Sequence, residues 1–211
     1  MSLQRLVIAS ILCYAFSAEA GERIEPAMMT AEQLASYMPD GARIETRLDV
    51  DINGDGLRDM VFVARNDEVR VLKVMMAYVS ETDMGHDPVG ELRMGDSPLG
   101  GAALSVKKGV LIVEDLDGGT TAIQSLYRFR YDPAAKRMRL IGDDVTLYSR
   151  TNQHGSTSIS TNRLTGVRVA TESELEGETY VDRPAKRSQI SKKAIYMEDA
   201  PTPDDTLGLN D

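Results

Sequence analysis

Five residues within one short segment could together bind a metal ion. The segment reads Asp-Ile-Asn-Gly-Asp-Gly-Leu-Arg-Asp over residues 51–59. Asp51, Asn53, Asp55 and Asp59 supply side-chain oxygens at the first, third, fifth and ninth positions of the loop, and Leu57 at the seventh offers its backbone carbonyl. Calcium is a hard cation that takes oxygen ligands at this spacing, and the glycine at the sixth position permits the sharp turn. The pattern therefore predicts a calcium site made by these five residues.

Two other interpretations of this segment stay open. Asn-Gly and Asp-Gly are also preferred residues of tight hairpin turns, so a plain polar turn is compatible with the sequence. A frame that begins at Asp49 fits the first half of the motif, but it places Leu57 at the ninth position. We favour the frame that begins at Asp51, because it places Asp59 rather than Leu57 at the ninth position. We favour metal binding over a plain turn, because a plain turn does not require an aspartate at both ends.

The residues around the loop indicate strands rather than helices. An EF-hand needs a bidentate glutamate at the twelfth position, where this chain has Phe62, and the Met-Val-Phe-Val-Ala run over 60–64 shows no helical period. The loop followed by Met-Val-Phe-Val resembles the calcium loops of FG-GAP/VCBS repeats, in which the loop joins two strands. That resemblance covers only the loop and its flanks, and it implies calcium binding but no activity. A propeller would need several such repeats, whereas this chain has one.

The segments that position this loop read as an antiparallel β meander. A capping-box pattern at Thr30–Gln33, with apolar residues at helical spacing after it, predicts one short helix over 31–38. From residue 43 onward, alternating apolar runs separated by turn signals predict strands. The pattern is compatible with a sandwich, a barrel or a partial propeller. Predicted strands cover 44–48, 60–64, 69–79, 103–106, 110–114, 123–131, 138–141, 145–148, 156–160 and 167–170, and 80–100 reads as a long loop with one short strand at 91–94.

The first twenty residues are typical of a signal peptide. Arg5 is followed by an apolar run over 6–16 that is too short to span a bilayer, and Ala18-Glu19-Ala20 provides a small-x-small cleavage pattern. We expect a mature chain that begins at Gly21 in the periplasm or outside the cell. Within it we expect a single β domain over 21–181 and an extended or disordered tail over 182–211, in which 194–197 could dock as an edge strand.

Other polar residues carry weaker signals. His86 and His154 both stand among turn-forming residues, which predicts solvated loop histidines. The adjacent carboxylates at 114–115 and 143–144 would point to opposite faces of a strand, so we interpret them as solvated turn charges rather than acid–base pairs. The Asp-Leu-Asp-Gly-Gly run at 115–119 echoes the acidic loop but lacks its later ligands, and reads as a polar hairpin turn.

Net charge, hydropathy and the absence of known motifs argue against several classes of function. The net charge of −9 argues against nucleic-acid binding, and no apolar stretch after the leader approaches membrane-spanning length. The sequence shows no zinc-peptidase, serine-hydrolase or nucleotide-binding motif. We therefore expect an exported, non-enzymatic binding or structural protein with one calcium-stabilised loop, whose partner is an unknown protein or a cell-envelope component. The alternative is a calcium-stabilised hydrolase that acts on an envelope polymer.

Overall fold

A computed structural model describes residues 24–177 and 179–210 of the 211-residue chain. The predicted signal peptide at 1–20 lies outside the described residues. None of the described helices is both long enough and apolar enough to cross a membrane. The elements are α1 (Ala31–Leu34), β1 (Arg43–Val50), β2 (Asp59–Arg65), β3 (Arg70–Val79), β4 (Met84–Met94), β5 (Ala103–Lys107), β6 (Val110–Gly118), β7 (Thr121–Asp132), β8 (Arg137–Ser149), β9 (Ser156–Asn162), β10 (Val167–Glu176), β11 (Thr179–Asp182), β12 (Lys186–Gln189) and α2 (Pro203–Leu207).

The strands form two antiparallel sheets. The small sheet has the order β1-β2-β3-β4, and the large sheet runs β11-β10-β9-β8-β7-β6-β5, with β12 also paired to β10. Every named strand pair is antiparallel, and each strand from β1 to β4 and from β5 to β10 pairs with its neighbours in sequence. The predicted mainly β meander is therefore confirmed. Within the described residues the two sheets stay open rather than closing into a barrel, and they pack face to face.

The core between the sheets follows from the period-two pattern of the strands. In β7, Tyr127 and Phe129 lie on the inner face and are buried, whereas Arg130 between Phe129 and Tyr131 is exposed. They pack against inward residues of the small sheet, including Val61 and Leu72. One continuous apolar layer thus joins the sheets.

The outer face of the small sheet is also covered. Its buried residues include Phe62, Met60 and Met75, and they pack against Leu34 of α1. Because β2 is covered on both faces, it reads in sequence as a continuous apolar run rather than an alternating one. The predicted capping box is present: Thr30 accepts from the Gln33 amide, and the Gln33 side chain accepts from the Thr30 amide. The short helix near the N-terminus is therefore confirmed.

The long loop predicted over 80–100 is largely wrong. Residues 84–94 form β4, an eleven-residue edge strand of the small sheet. Glycine and proline are rare inside strands, so their presence here masks the strand in the sequence. The alternating pattern is also interrupted by a bulge, where Val74 pairs with Gly90 and Met75 pairs with Pro88, so that Val89 is an extra residue. Proline is tolerated here because β4 lies at the edge of the sheet and is bulged.

The C-terminal segment 182–210 is not a free tail: β12 pairs with β10, and residues 194–197, which we expected to dock, do so through an isolated bridge rather than as an edge strand. The Ile195 carbonyl accepts from the Leu140 amide, Tyr196 forms an isolated bridge with Arg139, and Met197 is completely buried. Farther along, Tyr127 donates to the Pro201 carbonyl at 2.9 Å. The large sheet is wider than the small one, so this segment covers inner-face surface that the small sheet leaves bare.

A buried arginine connects the two sheets. Arg70 of β3 is 4% exposed, and its guanidinium donates to both carboxylate oxygens of Glu45 in β1 and to both oxygens of Asp115 in β6. It also donates to the Gly95 carbonyl at 3.2 Å. Burial alone would lower the pKa of Arg70, but the hydrogen bonds with Asp115 and Glu45 outweigh it and raise the pKa above its ordinary value. Arg70 therefore stays charged, and both sheets must be in place to balance it.

We predict that Arg70→Met lowers the free energy of unfolding by about 3–5 kcal/mol, because it leaves two carboxylates without their buried partner. Arg128→Ala is the matched control. Its ion pair with Asp144 is about one-third exposed on both sides, so the loss should stay below about 1 kcal/mol. Denaturant unfolding measures both, and equal losses in the two variants would contradict the role assigned to Arg70.

Candidate metal site

The acidic segment lies where the sequence analysis places it, between two paired strands. Residues 51–58 connect β1 to β2, and the ladder between these strands ends with the pair of Val50 and Asp59. Gly54 and Gly56 adopt φ values of 81° and 83°, in the left-handed region that favours glycine. The local sequence thus allows the chain to coil tightly at this junction.

Side-chain oxygens fold the loop around itself. Asp51 accepts from the Gly54 amide at 2.7 Å with one carboxylate oxygen and from the Gly56 amide at 2.8 Å with the other. Asp55 accepts from the Leu57 amide at 2.8 Å, and Asn53 accepts from the Asp55 amide at 3.0 Å. A carboxylate oxygen has two lone pairs, so these single hydrogen bonds leave acceptor capacity for a further ligand.

Asp59 fastens the loop to the body of the protein. It is completely buried; one oxygen accepts from the Ile52 amide at 2.7 Å, and the other accepts from the Ala77 amide of β3 at 2.8 Å. Burial raises the pKa of Asp59 to about 6, with a further contribution from the negative charges of Asp55 and Asp51, whereas the two amide hydrogen bonds oppose the shift. The carboxylate thus lies in a position that disfavours its own charge.

The contrast with Asp143 shows what Asp59 lacks. Asp143 of β8 is equally buried, but Arg163 donates to both of its carboxylate oxygens, at 2.5 and 3.0 Å. Within the part of the chain that the structure describes, Asp59 has no ion-pair partner and accepts only from neutral amides. A buried carboxylate without a cationic partner carries an uncompensated desolvation cost.

A histidine supports the loop from the neighbouring hairpin. His86 lies inside β4 rather than in a turn, and it is 8% exposed. Its Nε2 donates to the Arg58 carbonyl at 3.1 Å, so it holds the end of the loop against the β3–β4 hairpin. The prediction of a solvated loop histidine is therefore wrong for His86. His154 lies outside the strands, between β8 and β9, with its ring nitrogens bonded to the hydroxyl of Thr121 and the carbonyl of Gly155.

The five predicted ligands are brought together only in part. Asn53, Asp55 and Leu57 line one open cleft together with Asp87 and Tyr131, whereas Asp59 lies buried beneath the loop. Burial raises the pKa of Tyr131, and the charges of Asp87 and Asp59 add to the shift. Over residues 24–177 and 179–210, no three His, Cys, Asp or Glu side chains are gathered closely enough to hold a metal ion. The chemistry of the donors suits calcium, but the loop would have to tighten to enclose it.

Three polar residues have structural roles that the sequence did not predict. Asp115 and Asp143 lie in strands and form buried ion pairs, so the prediction of solvated turn charges is wrong for both. Arg70 is the first residue of β3, whose apolar run also contains the partly exposed Lys73, so the sequence does not show which of the two charges is buried.

We predict that Asp59 makes the metal-free protein more stable at pH 5 than at pH 7. Its folded pKa of about 6 lies above the ordinary 3.8, so the folded state binds the proton more readily, and this stabilisation is lost as pH rises through 6. The free-energy difference between the parent and Asp59→Asn should be about 1 kcal/mol larger at pH 5 than at pH 7. Denaturant unfolding in metal-depleted buffer measures it, and a difference that does not change with pH would contradict the assignment.

Comparison of the chain with protein-family models, with curated proteins and with solved structures gives no significant match.

Proposed function

We propose that this chain is an exported, non-enzymatic binding or structural protein in which one calcium ion stabilises the loop at 51–59. The proposal rests on the environment of Asp59. Its carboxylate is buried, the charges of Asp51 and Asp55 lie nearby, and no cationic side chain of the described residues pairs with it. A divalent cation would offset that charge. The spacing of the oxygen donors and their resemblance to an FG-GAP/VCBS loop both favour calcium.

The ion would be held by the side-chain oxygens of Asp51, Asn53, Asp55 and Asp59 and by the Leu57 carbonyl. It would supply positive charge where three carboxylates lie close in the chain. The twelfth position of the loop brings no carboxylate, because Phe62 occupies it and is completely buried in the strand. We therefore expect weak affinity, with a dissociation constant on the order of 10⁻⁴ to 10⁻³ M, as in extracellular calcium modules.

Calcium would have a structural role at this place in the fold. The loop joins β1 to β2, and Asp59 reaches the Ala77 amide of β3, so the ion would fix three strands of the small sheet relative to one another. That sheet packs on the large sheet, whose outer surface is left for a partner, either another protein or a component of the cell envelope. At free calcium of about ten times the dissociation constant, binding would stabilise the fold by roughly 1.4 kcal/mol.

The calcium test uses thermal unfolding. We expect calcium to raise the midpoint of the parent by a few degrees, and magnesium to raise it less because magnesium requires a rigid octahedral shell. Asp55→Asn should lose this response, since it removes a charge while keeping an oxygen that can accept from the Leu57 amide. Asp67→Asn, which removes an exposed charge in the turn between β2 and β3, should keep it. A parent midpoint indifferent to millimolar calcium would leave 51–59 as an ordinary hairpin loop.

Export is tested separately. After expression of the full chain in a Gram-negative host, we expect soluble protein from the periplasmic fraction to have the intact mass of a chain that begins at Gly21. Retention of residues 1–20 in the purified soluble protein would contradict the proposed signal peptide.

A further inference from the structure

A small cleft opens on the inner face of the large sheet, beside the Asp115 that pairs with Arg70. It does not include any residue of the loop at 51–59. Its floor is a block of four residues from β6 and β7: Asp115 pairs in register with Ser125, and Asp117 pairs with Ile123. Residues that are directly paired across two strands share a face, so all four point to the same side. The cleft has a volume of about 290 Å³, which suits a small ligand.

The walls come from the small sheet and the C-terminal segment. Gly95, directly after β4, forms one wall, and a Cβ there would lie 2.6 Å from Oδ2 of Asp117. The absence of a side chain therefore lets the carboxylate lie against the backbone. Pro203 and Asp204 of α2 form the opposite wall, which means that the packed C-terminal segment completes the cleft.

Ser125 is the residue that points to a ligand. It is 4% exposed and lines the cleft, yet its hydroxyl has no hydrogen-bond partner anywhere in the described chain. Three other unpaired side-chain atoms of the described chain are fully shielded from solvent, namely Arg139 Nε, Thr161 Oγ1 and Thr206 Oγ1; the Ser125 oxygen is not, so it faces the open volume of the cleft. A bound polar group inside the cleft would satisfy it.

The charge of the cleft defines the class of ligand. Asp115 is balanced by Arg70, but Asp117 accepts only from the Gly118 amide, and the Asp204 carboxylate has no partner among the described residues. Arg93 also borders the cleft, but it pairs in register with Val71, which packs on the outer face of the small sheet beside α1. Its side chain therefore belongs to the other face. Two uncompensated carboxylates remain beside apolar Ile123 and Pro203.

We infer that this cleft binds an alkylammonium group, either in a free diamine or in the lysine side chain of a partner. The ammonium would meet the carboxylates of Asp117 and Asp204, and one of its protons would be donated to the Ser125 hydroxyl. The alkyl stem would lie against Ile123 and Pro203. An organic cation suits the cleft because one ammonium group donates up to three hydrogen bonds, and the third carboxylate of the cleft, Asp115, is already paired with Arg70.

Isothermal titration calorimetry at low salt tests the inference on the full mature protein. The probes are 1,4-diaminobutane, N-acetyl-lysine methylamide and the neutral isostere 1,4-butanediol. We expect at least one amine to bind and the diol not to bind. Binding of the diamine alone would support a free polyamine as the ligand, and binding of the lysine derivative would support a partner's lysine.

Three variants locate the binding. Asp117→Asn and Asp204→Asn should each weaken amine affinity about tenfold, and Ser125→Ala should weaken it several-fold. Glu81→Gln removes one charge from an exposed turn outside the cleft and should leave affinity unchanged within about twofold. Asp204 is only partly buried in a short C-terminal helix, so Asp204→Asn keeps the test valid if another variant unfolds. No saturable amine binding up to about 10 mM, or an equal loss in Glu81→Gln, would overturn the inference.

Discussion

The guanidinium of Arg70 lies between the two sheets, where an unpaired charge would cost several kcal/mol. Its two carboxylate partners come from different sheets: Glu45 stands in β1 of the small sheet and Asp115 in β6 of the large one. Burial would raise the pKa of Glu45, but the hydrogen bond from Arg70 reverses that shift and lowers the pKa, so the carboxyl stays ionised. The Arg70 guanidinium therefore has both of its counter-charges only when the two sheets are packed in this alignment. The apolar layer between the sheets supplies most of the favourable free energy of burial.

That alignment positions the two ends of the sandwich. At one end, within the small sheet, the Arg70–Glu45 pair joins β3 to β1, and the β3–β4 hairpin lies against the loop at 51–59, which Ala77 and His86 hold. At the other end it leaves a gap beside Asp115 that the C-terminal segment only partly fills. Arg70 and Asp143 have their counter-charges within the protein, whereas Asp59 has only amide donors in the part of the chain described. The same electrostatic rule that explains the ion pairs therefore favours an external cation at the loop.

Features of the fold and of the loop could be predicted from the sequence where their residues lie close together along the chain. The acidic loop residues lie within nine consecutive positions, the capping box at Thr30 lies within four, and β7 alternates over its second half, from Tyr127 to Tyr131, so each was recognisable alone. The pairing of Arg70 with Asp115 joins residues 45 positions apart, and no local pattern encodes it. β4 was hidden by its bulge and proline, and the C-terminal segment by its polar, aperiodic composition, since it is ordered by a few anchors such as Met197 rather than by a repeating apolar face.

The claim that the loop binds calcium is tested most directly by two-dimensional ¹⁵N–¹H NMR of the metal-free mature protein during a calcium titration. We expect saturable shifts in the signals of the backbone amides that donate to the loop carboxylates, namely those of Gly54, Gly56, Leu57, Ile52 and Ala77. The shifts should follow one dissociation constant, on the order of 10⁻⁴ to 10⁻³ M. Small shifts that are spread over the acidic surface and increase linearly with calcium would contradict a specific site at Asp51–Asp59.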